Sequence, residues 1–302
     1  MKWLVPVGLV LLGLEQTAPP TFRAGVEAVR LDVLVTDGSR PVAGLIAADF
    51  ELTDAGVPQR IESVAIADVP VSMLLTLDTS ASVKGAGLIT LKDAAGAALA
   101  QLGRGDRAAL LAFDNVIEMK AGWRHGAQST HEGLVASEAE GGTSLYDAAF
   151  AALTMRDEAA GHRNLILLFS DGTDTTSWLP PSAVLEQAQR TDAVVYSVSL
   201  RGASDRRRLY RRSGLELLWR PSSSHATERF LTDLANVTGG KALAANSLQR
   251  LRGAFASVVT EFRTRYLLHY TPHGSNTAGW HPIEVKLRNR KGIVTARKGY
   301  LR

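Results

Sequence analysis

Three short stretches of this chain end on oxygen-bearing side chains of the kind that hold a hard cation. The run Val71 to Ser82, VSMLLTLDTSAS, finishes with Asp78, Ser80 and Ser82, which are one carboxylate and two hydroxyls at alternate positions. Thr143 follows the pair Gly141-Gly142, and Asp171 closes the apolar run that starts at Asn164. Carboxylate and hydroxyl oxygens suit Mg²⁺, which prefers an octahedral oxygen shell and keeps several waters. A D-x-S-x-S segment alone carries little weight, because Asp and Ser also crowd turns and helix N-caps. Two further strand-end segments add weight, since ligands of open α/β sheets bind beyond the carboxyl ends of the strands.

With these residues in this order, the chain resembles the von Willebrand factor type A (VWA) domain with its metal-ion-dependent adhesion site (MIDAS). Asp78, Ser80 and Ser82 match the first motif, Thr143 the second and Asp171 the third, over roughly residues 70 to 263. The resemblance implies an exported, bacterial-type protein with Mg²⁺ or Mn²⁺ held by Asp78, Ser80, Ser82, Thr143 and Asp171. It also implies a non-enzymatic role, in which a Glu or Asp of another protein completes the coordination.

The elements that position these residues follow from apolar spacing. Val71 to Leu77 has no clean alternation, which suits a central parallel strand covered on both faces. Leu88, Leu91, Ala95, Ala98 and Leu102 share one helical face, and Gly103 follows as a stop signal. Arg107 to Phe113 and Ile117 to Ala121 read as a hairpin, the former beside the first strand. Ser144 and Asp147 make a capping-box-like helix start. Pro180-Pro181 opens a helix through Arg190, Ala193 to Leu200 is a buried strand, and helices follow around Glu228 to Val237 and Leu248 to Phe262. This alternation predicts a doubly wound, mostly parallel α/β sheet.

Both flanks are β-patterned. Val26 to Val35 alternates, with Val29, Leu31, Val33 and Val35 pointing inward, and Phe50-Glu51-Leu52 with Ile61 to Ile66 reads as a hairpin around Asp54-Ala55-Gly56. Tyr266 to Tyr270, Ile283 to Leu287 and Val294 to Arg297 are short strands. Neither flank has enough strands for a stable core. The expected organisation is therefore a signal peptide or anchor at 1–18, a β segment at 22–67, the VWA domain at 70–263, and a β segment at 264–302 that pairs with 22–67 in one small sandwich.

Lys2 precedes a twelve-residue apolar run, Trp3 to Leu14, which has the length of a signal-peptide core and is short for a membrane span. Export to the periplasm, cell surface or medium is the expectation, with membrane attachment only if that segment is uncleaved. The chain has no cysteine, which excludes disulfides, thiolate zinc sites and a cysteine nucleophile, and fits an oxidising compartment. A net charge of +4 gives no reason to expect nucleic acid.

Other candidates for chemistry are weaker. The Arg-rich stretch 206–212 reads as a solvated loop, and Asp174 and Ser177 as loop residues. The seven histidines show no metal-ligand spacing, and there is no G-x-S-x-G elbow or dinucleotide fingerprint. A metal-dependent hydrolase would need a general base or second metal that these motifs do not supply. A structural module with a non-functional metal site is the other alternative.

Overall fold

The computed structural model describes residues 28–66, 69–123, 126–157, 159, 161–171, 173–200, 223–245, 247–275 and 278–302. The proposed signal segment and the Arg-rich stretch 206–212 lie outside these residues.

The chain opens with strands β1 (Val29–Asp37), β2 (Arg40–Pro41), β3 (Phe50–Asp54), β4 (Val57–Gln59) and β5 (Ser63–Ala65). An α/β unit comes next: β6 (Val71–Asp78), α1 (Ala86–Leu99), β7 (Arg107–Phe113), β8 (Ile117–Ala121), α2 (Gly126–Ala136), α3 (Leu145–Thr154), β9 (Arg163–Ser170) and α4 (Pro181–Arg190). It continues through β10 (Val194–Leu200), α5 (Ser223–Thr238), β11 (Ala242–Ala245) and α6 (Leu248–Arg263). The last strands are β12 (Tyr266–Tyr270), β13 (Trp280–Leu287), β14 (Ile293–Thr295) and β15 (Gly299–Leu301).

The central sheet has the order β11-β10-β9-β6-β7-β8, parallel throughout except for β8. All eight residues of β6 are buried, as expected of a strand covered on both faces. Val71, Met73, Leu75 and Leu77 meet Leu91, Ala95 and Ala98 of α1 and Phe255, Val259 and Phe262 of α6. Leu74 faces the opposite layer, where Leu145, Ala149 and Leu153 of α3 lie with Val184 of α4 and Leu234 of α5. From β6 the chain moves to β7 on one side and later returns to β9 on the other. That reversal opens a crevice at the carboxyl end of β6, where doubly wound sheets bind ligands.

The two flanks interleave. β1 pairs antiparallel with β12, Leu31 opposite Leu268, and β12 in turn pairs with β5. In a second sheet, β3 pairs with β13, Leu52 opposite Val285, and with β4. Leu31, Val33, Tyr266 and Leu268 of the first sheet pack on Phe50, Leu52 and Ile283 of the second, with the Phe50 and Tyr266 rings edge to face at 5.5 Å. Buried among these strands, the Asp54 carboxylate accepts the hydroxyls of Tyr270 at 3.0 Å and Tyr300 at 2.9 Å and lies 2.9 Å from His281 Nδ1.

One hairpin expectation is corrected. The turn at Ala55-Gly56 is present, with φ of 50° and 80°, but β3 pairs through it with Val57–Gln59. Residues 61–66 supply β5 to the other sheet instead. Two consecutive positive φ values close a two-residue loop, so the return strand must begin at once at Val57.

Two buried arginines join the sandwich to the α/β unit at the amino-terminal edge of the central sheet. Arg163 pairs with Asp32 of β1, its Nε donating to Oδ1 at 2.8 Å, and its guanidinium lies 4.4 Å from the Phe262 ring centroid. Arg265 donates to Tyr196 Oη at 2.9 Å and to the carbonyls of Gly239 and Thr295.

Candidate metal centre

β6 ends at Asp78, and the backbone then leaves the sheet in a short 3₁₀ turn over Ala81–Val83. The Asp78 side chain folds back under this turn, Oδ1 accepting Ser80 N–H at 3.0 Å and Oδ2 accepting Ser170 Oγ–H from the end of β9 at 2.7 Å. Asp78 is fully buried, and burial pushes its carboxyl up to about 6. Hydrogen bonds from Ser80 and Ser170 oppose that rise, while the nearby Asp171 charge adds to it.

Above Asp78 lies a chain of oxygens. Ser80 Oγ is 2.8 Å from Ser82 Oγ, which donates to Asp171 Oδ1 at 2.6 Å. Ser80 is buried, Asp171 half-buried and Ser82 exposed, so the donors run from the sheet edge out to solvent. Thr143 joins them through its loop, where Glu140 N–H donates to Thr79 O at 3.0 Å and Ala81 N–H to Gly141 O at 3.1 Å. The structure therefore brings all five sequence-predicted residues to one edge.

Gly141 makes this docking possible. Its φ of +72° favours glycine, and a Cβ there would lie 1.9 Å from Asn115 Oδ1. Beside it, Ser144 N–H donates to Asp114 O at 2.8 Å, tying the same loop to the β7–β8 turn.

The capping-box expectation for α3 is corrected. Ser144 makes no side-chain cap and instead lies 2.7 Å from Thr176 Oγ1. The Asp147 carboxylate turns outward to accept Trp178 N–H and Leu179 N–H, each at 2.9 Å. The helix start is served by Ser177, whose Oγ accepts Tyr146 N–H at 3.0 Å and donates to Asp174 Oδ1 at 2.5 Å. Thr175 Oγ1 accepts Thr143 N–H at 2.9 Å, and Thr143 O accepts Thr175 N–H at 2.8 Å. The loop after Asp171 thus wraps the Thr143 loop, and Asp174 and Ser177, read from sequence as ordinary loop residues, hold it there. The hydroxyl-rich run Thr173 to Ser177 is the one sequence signal of this clamp.

The donor set fits a small hard cation. Adjacent oxygens around Mg²⁺, at bond lengths of 2.0–2.1 Å, lie about 2.9 Å apart. The Ser80–Ser82 and Ser82–Asp171 separations of 2.8 and 2.6 Å are close to that spacing. Among the described residues there is no cluster of three or more His, Cys, Asp or Glu side chains fit to bind a metal, so a cation at this edge would need hydroxyl oxygens beside the two carboxylates.

Residues 73–173 match the family model of the von Willebrand factor type A domain. Residues 73–173 are VWA-type sequence, and the whole α/β unit has the VWA-like fold. The matched stretch starts inside β6 and ends just past Asp171, so it holds four of the five candidate ligands within the motif's interior and Asp171 near its end. A structure described as von Willebrand factor type A from Catenulispora acidiphila is similar with a TM-score of 0.52 and 12% identity, over 89% of this chain and 75% of that one. Proximal thread matrix protein 1 from the mussel byssus, whose MIDAS motif is occupied by zinc, superposes with a TM-score of 0.51 and 12% identity. That match covers 68% of this chain and 48% of the mussel protein, so the similarity spans about half the mussel protein's length. At these identities the likeness is one of fold. No curated protein matches the sequence.

Proposed function

We propose that this VWA domain is a metal-dependent protein-binding module of an exported adhesion or assembly protein. In this reading Ser80, Ser82 and Thr143 hold Mg²⁺ or Mn²⁺ directly, and Asp78 and Asp171 contribute directly or through water. A bound divalent cation offers an electrophilic position to a carboxylate, and a Glu or Asp of the partner takes it. The carrying observation is the oxygen chain Ser80–Ser82–Asp171, which joins two loops at cation-like spacing above a buried carboxylate. Two carboxylates balance a divalent charge, and the motifs supply no His or third strand-end carboxylate to act as a general base beside the metal-holding residues, which supports binding over hydrolysis. Export rests on Lys2 and the apolar run after it.

The same oxygen chain supports a second reading, because Ser80, Ser82 and Asp171 bond one another and a site so arranged can persist without metal. Titration calorimetry separates the two. Asp171→Ala, which removes a charge and a donor, should weaken Mg²⁺ by about tenfold or more. Ser80→Ala, which removes one neutral donor, should weaken it less. Equal affinity in parent and variants, or none in any, leaves the structural reading alone standing.

A further inference from the structure

Trp178 is 95% exposed, the most exposed of the large apolar side chains among the described residues. Single apolar residues on a surface are ordinary, but this one is held out by a fixed backbone. Its own N–H and that of Leu179 are both anchored on the Asp147 carboxylate at 2.9 Å. The preceding Ser177 is tied to the start of α3, and Pro180-Pro181 leads into α4. A large ring on a pre-ordered backbone loses little conformational entropy on binding, which is the usual character of an interface anchor.

The same loop carries Asp171 and clamps Thr143 through Thr175. Trp178 lies three residues beyond Thr175, a reach of at most about 11 Å. Val116, 60% exposed, lies in the β7–β8 turn, where Asp114 Oδ1 accepts its N–H at 2.6 Å and Asp114 O accepts Ser144 N–H. Two exposed apolar side chains are thus attached by hydrogen-bonded turns to the loop that bears Thr143.

We infer that Trp178 is the apolar anchor of the partner-binding surface. The partner segment carries an aliphatic or aromatic residue within about four positions of the acid that completes the metal shell. This rests on the metal-dependent reading above. The upper limit of the spacing follows from the reach, since an extended peptide advances about 3.3 Å per residue and covers roughly 13 Å in four steps. Val116 adds a second exposed apolar side chain at the β7–β8 turn, which favours an apolar partner side chain over a cation stacked on the indole.

The test uses the full chain and four capped peptides in a Gly-Ser background: a single Glu, a Glu with Phe three positions before it, the same with Phe three positions after, and the same with Lys in place of Phe. Affinities are measured with Mg²⁺ and with EDTA, on the parent and on Trp178→Ala. One Phe peptide should bind the Mg²⁺-loaded parent about tenfold more tightly than the Glu peptide. Trp178→Ala should lose that advantage while matching the parent in Mg²⁺ affinity and melting temperature. Equal binding of Phe and Glu peptides, an advantage retained in Trp178→Ala, a tighter Lys peptide, or no binding of any peptide overturns the proposal. A Phe advantage that survives EDTA and vanishes in Trp178→Ala upholds the anchor and removes the metal-dependent reading. Mg²⁺-dependent Glu binding with no Phe advantage in the parent removes the anchor alone.

Discussion

Replacing Asp32 with Asn tests the joint between the sandwich and the VWA domain, because it removes one charge of a buried pair and almost no volume. Arg163 is 1% exposed, and the Asp32 side chain is exposed by only 8%. The remaining contacts of the guanidinium are Phe262 O, which Nη2 reaches at 3.1 Å, and the face of the Phe262 ring. Nη1 is buried and has no hydrogen-bond partner among the described residues, so none of them takes over the charge. Breaking such a pair from one side costs roughly 3–5 kcal/mol, whereas exchanging both partners for apolar groups of similar size is often neutral. At about 2–4 °C per kcal/mol, Asp32→Asn should melt roughly 6–20 °C below the parent. Arg163→Met combined with Asp32→Leu should recover most of that loss. Calorimetric melting gives the size of the effect, and hydrogen exchange should locate it in β1 and β12, where Asp32 lies opposite Leu267. A single substitution costing under about 1 kcal/mol, or a double variant as unstable as the sum of both singles, would refute the idea that this ion pair fixes the joint.

Two further substitutions probe the loop and the sandwich core. Gly141→Ala should weaken Mg²⁺ binding and destabilise the fold by at least about 1 kcal/mol, since its φ is positive and the new methyl meets Asn115. Unchanged calorimetric Mg²⁺ affinity would show that the Thr143 loop tolerates displacement. Asp54→Ala removes the acceptor that two tyrosine hydroxyls and His281 Nδ1 share in the sandwich core, and should cost about 3 kcal/mol or more in denaturant unfolding. Tyr300→Phe, which removes one of those bonds, should cost about 1 kcal/mol.

Much of the architecture was legible because its signals are strong in one dimension. β6 and β9 are nearly unbroken apolar runs, and the oxygen donors stand where each run stops. The flanks were paired by elimination, since neither could close a core alone, and β1 with β12 and β3 with β13 bear this out. Other elements were invisible for physical reasons. In α2 only Thr130 and Leu134 are buried, so it has almost no apolar face to detect. Gly133 there serves close packing, since a Cβ would come within 3.0 Å of Lys120 O. β11 reads Ala-Leu-Ala-Ala, a composition with weak strand preference that pairing with β10 overrides. Asp147 misled because a helix-start acid normally serves its own helix, and only tertiary structure brings Trp178 and Leu179 into its reach.

The two ends of the central sheet treat buried charge in opposite ways. At the amino-terminal edge, carboxylates meet cations: Asp32 faces Arg163, Asp106 faces Arg263 and Asp157 faces Arg107. At the carboxyl edge, seven strand steps or about 23 Å along β6, the hydrogen bonds to Asp78 come from Ser80 and Ser170, both neutral. Burying a carboxylate is costly unless a cation or strong hydrogen bonds compensate, and here burial outweighs the bonds, holding the carboxyl near 6. An interior that served stability alone would do better with an apolar or amide side chain at this position. Outward from Asp78 toward solvent stand Ser80, Ser82 and Asp171, which add more oxygen and more negative charge. Such a gradient makes sense if the compensating cation comes from solution, and it is then stability that this edge gives up for a binding function.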